Sequence, residues 1–323
     1  MTRRAVHLVF AAVAAVGLLV SARVGAQQQN FDAVQVRVLP AQGNVYMLAG
    51  AGGNVTIQAG SDGVLVVDTQ YAQMSEKLLA AIRGISKGPI RYIVDTHVHG
   101  DHTGGNENIR KAGATIAGGN VSGDIRDAAL GAQIWAHDNV LLRMSDPKRT
   151  PAIPTAAWPT STFTGKDKKL FFNGEGVHII HEPAAHTDGD SIVFFRRSDV
   201  ISTGDIFNTT NFPVIDVPGG GTINGIIAGV NHLIELIIPV YGQEGGTMVI
   251  PGHGRLSDLG DVLNYREMAT IVRDRVQDMK KKGMTLDQVK AAKPTRDYDP
   301  LYNPPGAFYT ADQFVEAVYR TLP

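Results

Sequence analysis

From Val45 onward, short apolar runs alternate with glycine-rich turns, and that rhythm predicts strands before helices. The β-rich runs "VYML" and "VTIQ" lie on either side of "AGAGGN", a hairpin signal whose tip is Gly50–Asn54. A second turn, "GSDG", leads into "VLVVD", which reads as a buried strand ending at Asp68. "SEKLLAAIRGI" then has helical spacing, with Ser75 as its N-cap. "IRYIVDT" is again a strand, "NENIRKAG" a helix stopped by Gly113, and "ATIAG" a strand. Alternation of strand and helix predicts a layered α/β domain.

Residues 145–169 break this rhythm with Pro, Thr and Lys and read as one long loop. Four strand-like runs follow: "KLFFN", "GVHIIHEP", "SIVFFRR" and "DVISTGD". "TINGIIAGVNHLIELI" has helical periodicity after a glycine run, and "TMVIPGHG" is a strand running into a turn. The tail holds a helix near Asp258–Lys282 closed by Gly283. Two short helices follow, opened by capping boxes of Thr285 with Gln288 and Thr310 with Gln313. No repeat of a solenoid type is visible.

The first residues follow a different pattern. Arg3 and Arg4 precede an apolar run from Leu8 to Val20, and "VGA" ends at Ala26, so residues 1–26 read as a secretory signal peptide. The run is shorter than the ~20 residues a membrane span needs, and a periplasmic or secreted protein without stable membrane association is expected. The formal net charge of the whole chain is −1. The leader holds three arginines and no acid, so the remainder is more acidic and offers no electrostatic reason to bind nucleic acid. Absence of cysteine excludes thiolate ligands and a cysteine nucleophile.

The chemistry concentrates at the predicted strand ends. "THVHGDHTGG" places His97, His99, Asp101 and His102 within six positions, in a chain with ten histidines. The i, i+2 spacing of His97 and His99 sends both imidazoles to one side of an extended segment. Asp101 and His102 turn past it across Gly100. Three more candidates follow: His186 in "AAHTDGD", Asp205 in "STGDIF" and His253 in "IPGHG". Nitrogen and carboxylate ligands without sulfur suit zinc, and less exclusively iron, manganese or cobalt. His137, His178, His181 and His232 lack such context and read as structural. Asp188 and Asp190 read as turn residues. "GGGTING" lacks the Lys-Ser/Thr of a phosphate loop and reads as a flexible lead-in to a helix near the cleft. "KKK" at 280–282 reads as a solvated helix end.

"THVHGDHTGG", with Asp68, His186, Asp205 and His253 in order, resembles the HxHxDH signature of the metallo-β-lactamase superfamily, over roughly Val45 to Gly254. The resemblance implies an αββα four-layer sandwich over residues 27–323, with a C-terminal helical extension. It implies two Zn²⁺ per chain, iron or manganese being alternatives. His97, His99 and His186 would hold the first metal. Asp101, His102 and His253 would hold the second, with Asp101 and His253 also catalytic. Asp205 would bridge, and Asp68 would orient the ligand loop. A bridging aspartate at 205 resembles the glyoxalase II, lactonase, phosphodiesterase and ribonuclease Z branches more than the zinc β-lactamases proper.

The implied chemistry is hydrolysis by a hydroxide shared between two metals about 3.5–4 Å apart, which lower the water's pKa toward ~7. The expected substrate is a small ester, thioester, lactone or lactam. The tip Gly50–Asn54 and the loop 208–221 would wall the cleft, with Phe207, Phe212 and Val214 giving it apolar surface. Two alternatives stand beside this: a mononuclear iron oxidoreductase of sulfur metabolism, similar to persulfide dioxygenases, and a non-catalytic binding protein that kept the fold.

Overall fold

A computed structural model describes residues 29–115, 131–237 and 246–323. Among the described residues the first sheet has seven strands in chain order: β1 (Arg37–Gln42), β2 (Val45–Ala49), β3 (Val55–Gly60), β4 (Gly63–Val67), β5 (Ile90–Val94), β6 (Gln133–His137) and β7 (Ser161–Phe163). β1 to β4 pair antiparallel and β4 to β7 parallel. The second sheet is ordered β12-β11-β10-β9-β8, from β8 (Asp167–Phe172), β9 (Glu175–His181), β10 (Ser191–Phe195), β11 (Val200–Ser202) and β12 (Met248–Ile250). Only its β11–β12 pair is parallel.

Alternation along each strand makes the layers. In β4, Leu65 and Val67 face inward and meet Val177, Ile179, Val193 and Phe195 of the second sheet. Val64 and Val66 face outward against Leu78 and Ile82 of α1 (Ser75–Ile85) and Ile109 of α3 (Asn106–Lys111); α2 (Gly100–Thr103) lies between these two helices in sequence. The outer face of the second sheet buries Ile192, Ile201 and Val249 under α5 (Ile223–Ile237), α6 (Leu259–Lys281) and α9 (Ala311–Thr321). The result is the expected helix–sheet–sheet–helix sandwich. Among the described residues no helix is long and apolar enough to cross a membrane.

Several expectations need correction. Ser75 is the first residue of α1, not its N-cap; its hydroxyl donates to the Ala72 carbonyl, 2.8 Å away. The stretch 145–169 is not all loop, because β7 and the start of β8 lie within it. β1, β6 and α4 (Asp138–Met144) were not foreseen, nor was α8 (Asp299–Tyr302). Of "ATIAG", Ala114 makes a single bridge to Gly131, and the rest lies largely outside the described residues, as does the 1–26 leader. Both tail capping boxes form, opening α7 (Leu286–Ala292) and α9. Lys280 is not merely solvated: its ammonium donates to the carbonyls of Tyr319 and Leu322 at the end of α9.

Candidate metal centre

The candidate ligands lie where strands end. β5 stops at Val94 and its extension carries Thr96, His97 and His99; α2 then turns His102 inward. His186 follows β9, Asp205 sits in the 3-10 turn after β11, and His253 follows β12. The two sheet edges are stitched together by the Ser191 N–H to the Thr96 carbonyl (2.8 Å) and the Asn54 N–H to the Gly252 carbonyl (2.7 Å). Gly252 is required here, because a Cβ would run into Oδ1 of Asp205.

These residues converge on two adjoining groups. The donors of His97, His99 and His186 lie within 4.8 Å of one another, as do those of Asp101, His102 and His253; a third such group joins His97, His102 and Asp205. Asp205 faces both ways. Its Oδ1 is 3.2 Å from Nε2 of His102 and 3.5 Å from Nε2 of His253, while Oδ2 is 3.7 Å from Nε2 of His186. Asp101 Oδ2 lies 3.3 Å from Nε2 of His253. All seven residues expected from the sequence are therefore brought together, with His97, His102 and His186 fully buried.

The outward nitrogens of His97, His99, His102 and His186 are spoken for, and this sets which inward atoms are free. The Thr96 hydroxyl donates its one proton to Oδ2 of Asp68 (2.8 Å), so it accepts the Nδ1–H of His97 (3.0 Å). Nε2 of His97 is left buried without a partner. Nδ1–H of His102 donates to the same Asp68 carboxylate (2.7 Å), and Nδ1–H of His186 to the Val214 carbonyl (2.7 Å). Nε2–H of His99 donates to Asp216 (3.0 Å), so in neutral rings Nδ1 of His99 and Nε2 of His186 face each other as lone pairs 2.9 Å apart. Unpartnered lone pairs converging in a buried space are unfavourable unless a cation sits among them. The donor set thus fits a divalent metal, with the outer hydrogen bonds that hold metal-ligating imidazoles in place.

Electrostatics divide the cluster. Burial pushes His97 well below the usual histidine range and His186 down to about 4. Burial opposes protonation of His102 and His253 too, but the Asp205 charge, joined by Asp68 at His102 and Asp101 at His253, outweighs it. His102 is held well above its ordinary value and His253 is raised to about 9. Burial would raise Asp205, yet His253 and His102 hold it well below the carboxylate range.

The site opens into a cleft of about 570 Å³ lined by Gly52, Tyr71, Asn208, Val214 and Phe308, among others. Phe207 and Phe212, expected on its walls, are instead buried: Phe207 is edge-on to Tyr265 and Phe212 stacks on Phe314. Val214 is where it was expected. "GGGTING" is packed rather than a loose lead-in, since a Cβ on Gly221 would strike the His186 carbonyl. Asp190 accepts from the N–H and hydroxyl of Thr187, and Asp188 takes a two-pronged bond from Arg143, so both serve their turn. His137 stacks on His181, His178 pairs with Asp167 and His232 with Glu182, all away from the cluster. Sequence reasoning missed Thr96, Asp216, Tyr71 and Phe308; none carries a spacing signal.

A family model described as the metallo-beta-lactamase superfamily matches residues 42–254. No curated protein sequence matches this chain. Among solved structures, it is similar to the stereoselective inverting sec-alkylsulfatase Pisa1 from Pseudomonas sp., with a TM-score of 0.65 and 17% identity, over 88% of this chain and 50% of that one. The chain thus spans half the length of that enzyme. It is also similar to DIM-1 metallo-beta-lactamase (TM-score 0.54, 18% identity, 73% of this chain and 98% of that one). A metallo-beta-lactamase from Pontibacter korlensis gives a TM-score of 0.54 at 14% identity, over 73% of this chain and 99% of that one. At these identities the likeness is one of fold.

Proposed function

We infer the function from one premise: this chain belongs to the metallo-β-lactamase superfamily. On that premise it is a metal-dependent hydrolase with two zinc ions, acting on a small ester, thioester, lactone or lactam. The observation that carries the dinuclear reading is Asp205, with one oxygen toward His102 and His253 and the other toward His186. His97, His99 and His186 would hold one ion, and Asp101, His102 and His253 the other. Bound there, divalent metal supplies Lewis acidity and a water acidic enough to ionise near neutral pH.

The chain's own residues do the rest. His99, Asp101 and His253 are the partly exposed members of the cluster, so substrate meets the centre at their side. Asp68 and Thr96 keep His97 and His102 oriented, and Asp216 does the same for His99. The Tyr71 hydroxyl stays protonated, because burial and the Asp101 charge raise its pKa. No cysteine exists to act as nucleophile, and the Thr210 hydroxyl is bonded to Asn211.

Export to the periplasm or beyond, with cleavage after Ala26, belongs to the same proposal, on the strength of the leader pattern. The test is metal analysis with a hydrolysis panel of lactams, lactones, thioesters, phosphodiesters and, given the alkylsulfatase likeness, sulfate esters. Two zinc per chain and turnover abolished by chelation are expected. One iron per chain with no hydrolysis would replace this reading with the iron oxidoreductase.

A further inference from the structure

The polar side of the cleft is occupied with itself. Oδ1 of Asn208 accepts from the N–H groups of Thr210 (3.2 Å) and Asn211 (3.0 Å), and its amide donates to the Tyr265 hydroxyl (3.1 Å). Thr210 donates to Asn211 (2.7 Å), whose own amide donates to the Phe212 carbonyl (2.8 Å). No lysine or arginine lines the cleft among the described residues. Apart from the candidate ligands, the large apolar surfaces that line the cleft are those of Tyr71, Val214 and Phe308.

Phe308 is the least buried large apolar side chain among the described residues, at 90% exposure. A scattered surface phenylalanine needs no explanation, but this one stands on the rim of the cleft that holds the histidine cluster. Tyr71, also on that wall, has its ring fixed edge-on by Phe31 at 5.4 Å. Phe31 and Phe308 both lie outside residues 42–254, so this chain's flanks join Tyr71 and Val214 of the shared part in shaping the wall.

We propose that Tyr71, Val214 and Phe308 form an apolar wall that takes an uncharged alkyl, acyl or aryl substituent of the substrate, and that Phe308 sets the preference for its length. The reaction at the other end of that substrate rests on the hydrolase reading; the wall does not. No lysine or arginine lines the cleft among the described residues to pair with an anionic substituent there. An apolar one gains about three- to fourfold in affinity per methylene covered, the fold-change that burial of ~0.8 kcal/mol per CH₂ gives.

The wall is tested by binding rather than turnover. Zinc-loaded full-length protein is titrated, by ligand-observed NMR, with methyl ketones carrying propyl, pentyl and heptyl chains. Affinity rises with chain length, by up to about three- to fourfold per methylene covered. Phe308→Ala removes most of the length dependence and Phe308→Leu restores part of it, with zinc content unchanged in both. No binding, binding independent of length, or a dependence untouched by Phe308→Ala overturns the proposal. A protein that hydrolyses nothing yet keeps this pattern separates failure of the hydrolase reading from failure of the wall.

Discussion

Oδ2 of Asp216 lies 3.0 Å from Nε2 of His99, and this contact decides which nitrogen of His99 faces the cluster. Oδ1 of the same carboxylate accepts the Gly219 N–H at 2.9 Å, so Asp216 ties the ligand to the turn that leads into α5. Burial would raise its pKa, but the His99 hydrogen bond and the Gly219 N–H hold it below the usual carboxylate range. It therefore stays ionised and available as an acceptor.

Substitution of Asp216 should weaken metal binding without removing a ligand. Asp216→Asn keeps an acceptor oxygen but loses the charge, and zinc affinity should fall about tenfold; Asp216→Ala should lose up to ~100-fold. Competition with a chromophoric chelator measures both. Wild-type affinity in Asp216→Ala would mean that His99 is oriented by something else.

The ligand set was legible because it depends on local geometry. His97 and His99 sit two apart on extended backbone, and their rings do come to the same group, with centroids 4.9 Å apart. Asp101 and His102 cross the start of α2 and turn to the other group. The supports were not legible, because His99 and its acceptor Asp216 are 117 positions apart. The same holds for Phe212: its place in the loop 208–221 suggests the cleft, but Tyr302 and Phe314 from the tail draw it into the core. β7 was hidden for a related reason. Three residues in a Pro- and Thr-rich stretch become a strand only because β6 offers an edge to pair with.

The two carboxylates at the centre should have different phenotypes. Asp205→Ala removes the group that faces both sets, so the protein should keep its fold, lose at least one zinc and lose several orders of magnitude in turnover. Asp101→Ala should empty only the position at His102 and His253, leaving one zinc, and His97→Ala should empty the other. Metal analysis with crystallographic density for each variant reads this directly. If Asp101→Ala kept the ion near His253 and lost that at His97, His99 and His186, the ligands would have been assigned to the wrong ions.

Away from the centre, His232 should confer a pH-dependent increment of stability. Its hydrogen bond to Glu182 raises its pKa against partial burial, and the Glu182 charge adds to this. A raised folded-state pKa contributes stability fully present below the unfolded value of ~6.5 and lost as pH rises through the folded value. The pair is partly exposed, so its contribution should stay within about 1 kcal/mol. His232→Gln should therefore cost more melting temperature at pH 6 than at pH 9. An equal or reversed difference would contradict the pairing.

Zinc uptake should release protons from one set of ligands and not from the other. In the metal-free protein at pH 7, His253, raised to about 9, and His102, held well above its ordinary value, carry protons opposite Asp101 and Asp205. Because these imidazoles have raised folded pKa values, their contribution to metal-free stability is complete below ~6.5 and is lost as pH rises through the folded values. A dication entering that set must displace both protons, whereas His97 and His186 are already neutral. Binding there should release about two protons at pH 7 and tighten about tenfold per released proton for each pH unit, levelling off toward pH ~9. His97 and His186 should add no proton release to uptake at the other set between pH 7 and 9. Calorimetry in buffers of different ionisation enthalpy counts the protons, with Asp101→Ala isolating the set at His97, His99 and His186. Proton-free binding of both ions at pH 7 would show that His102 and His253 are neutral in the empty site, contrary to the charges that surround them.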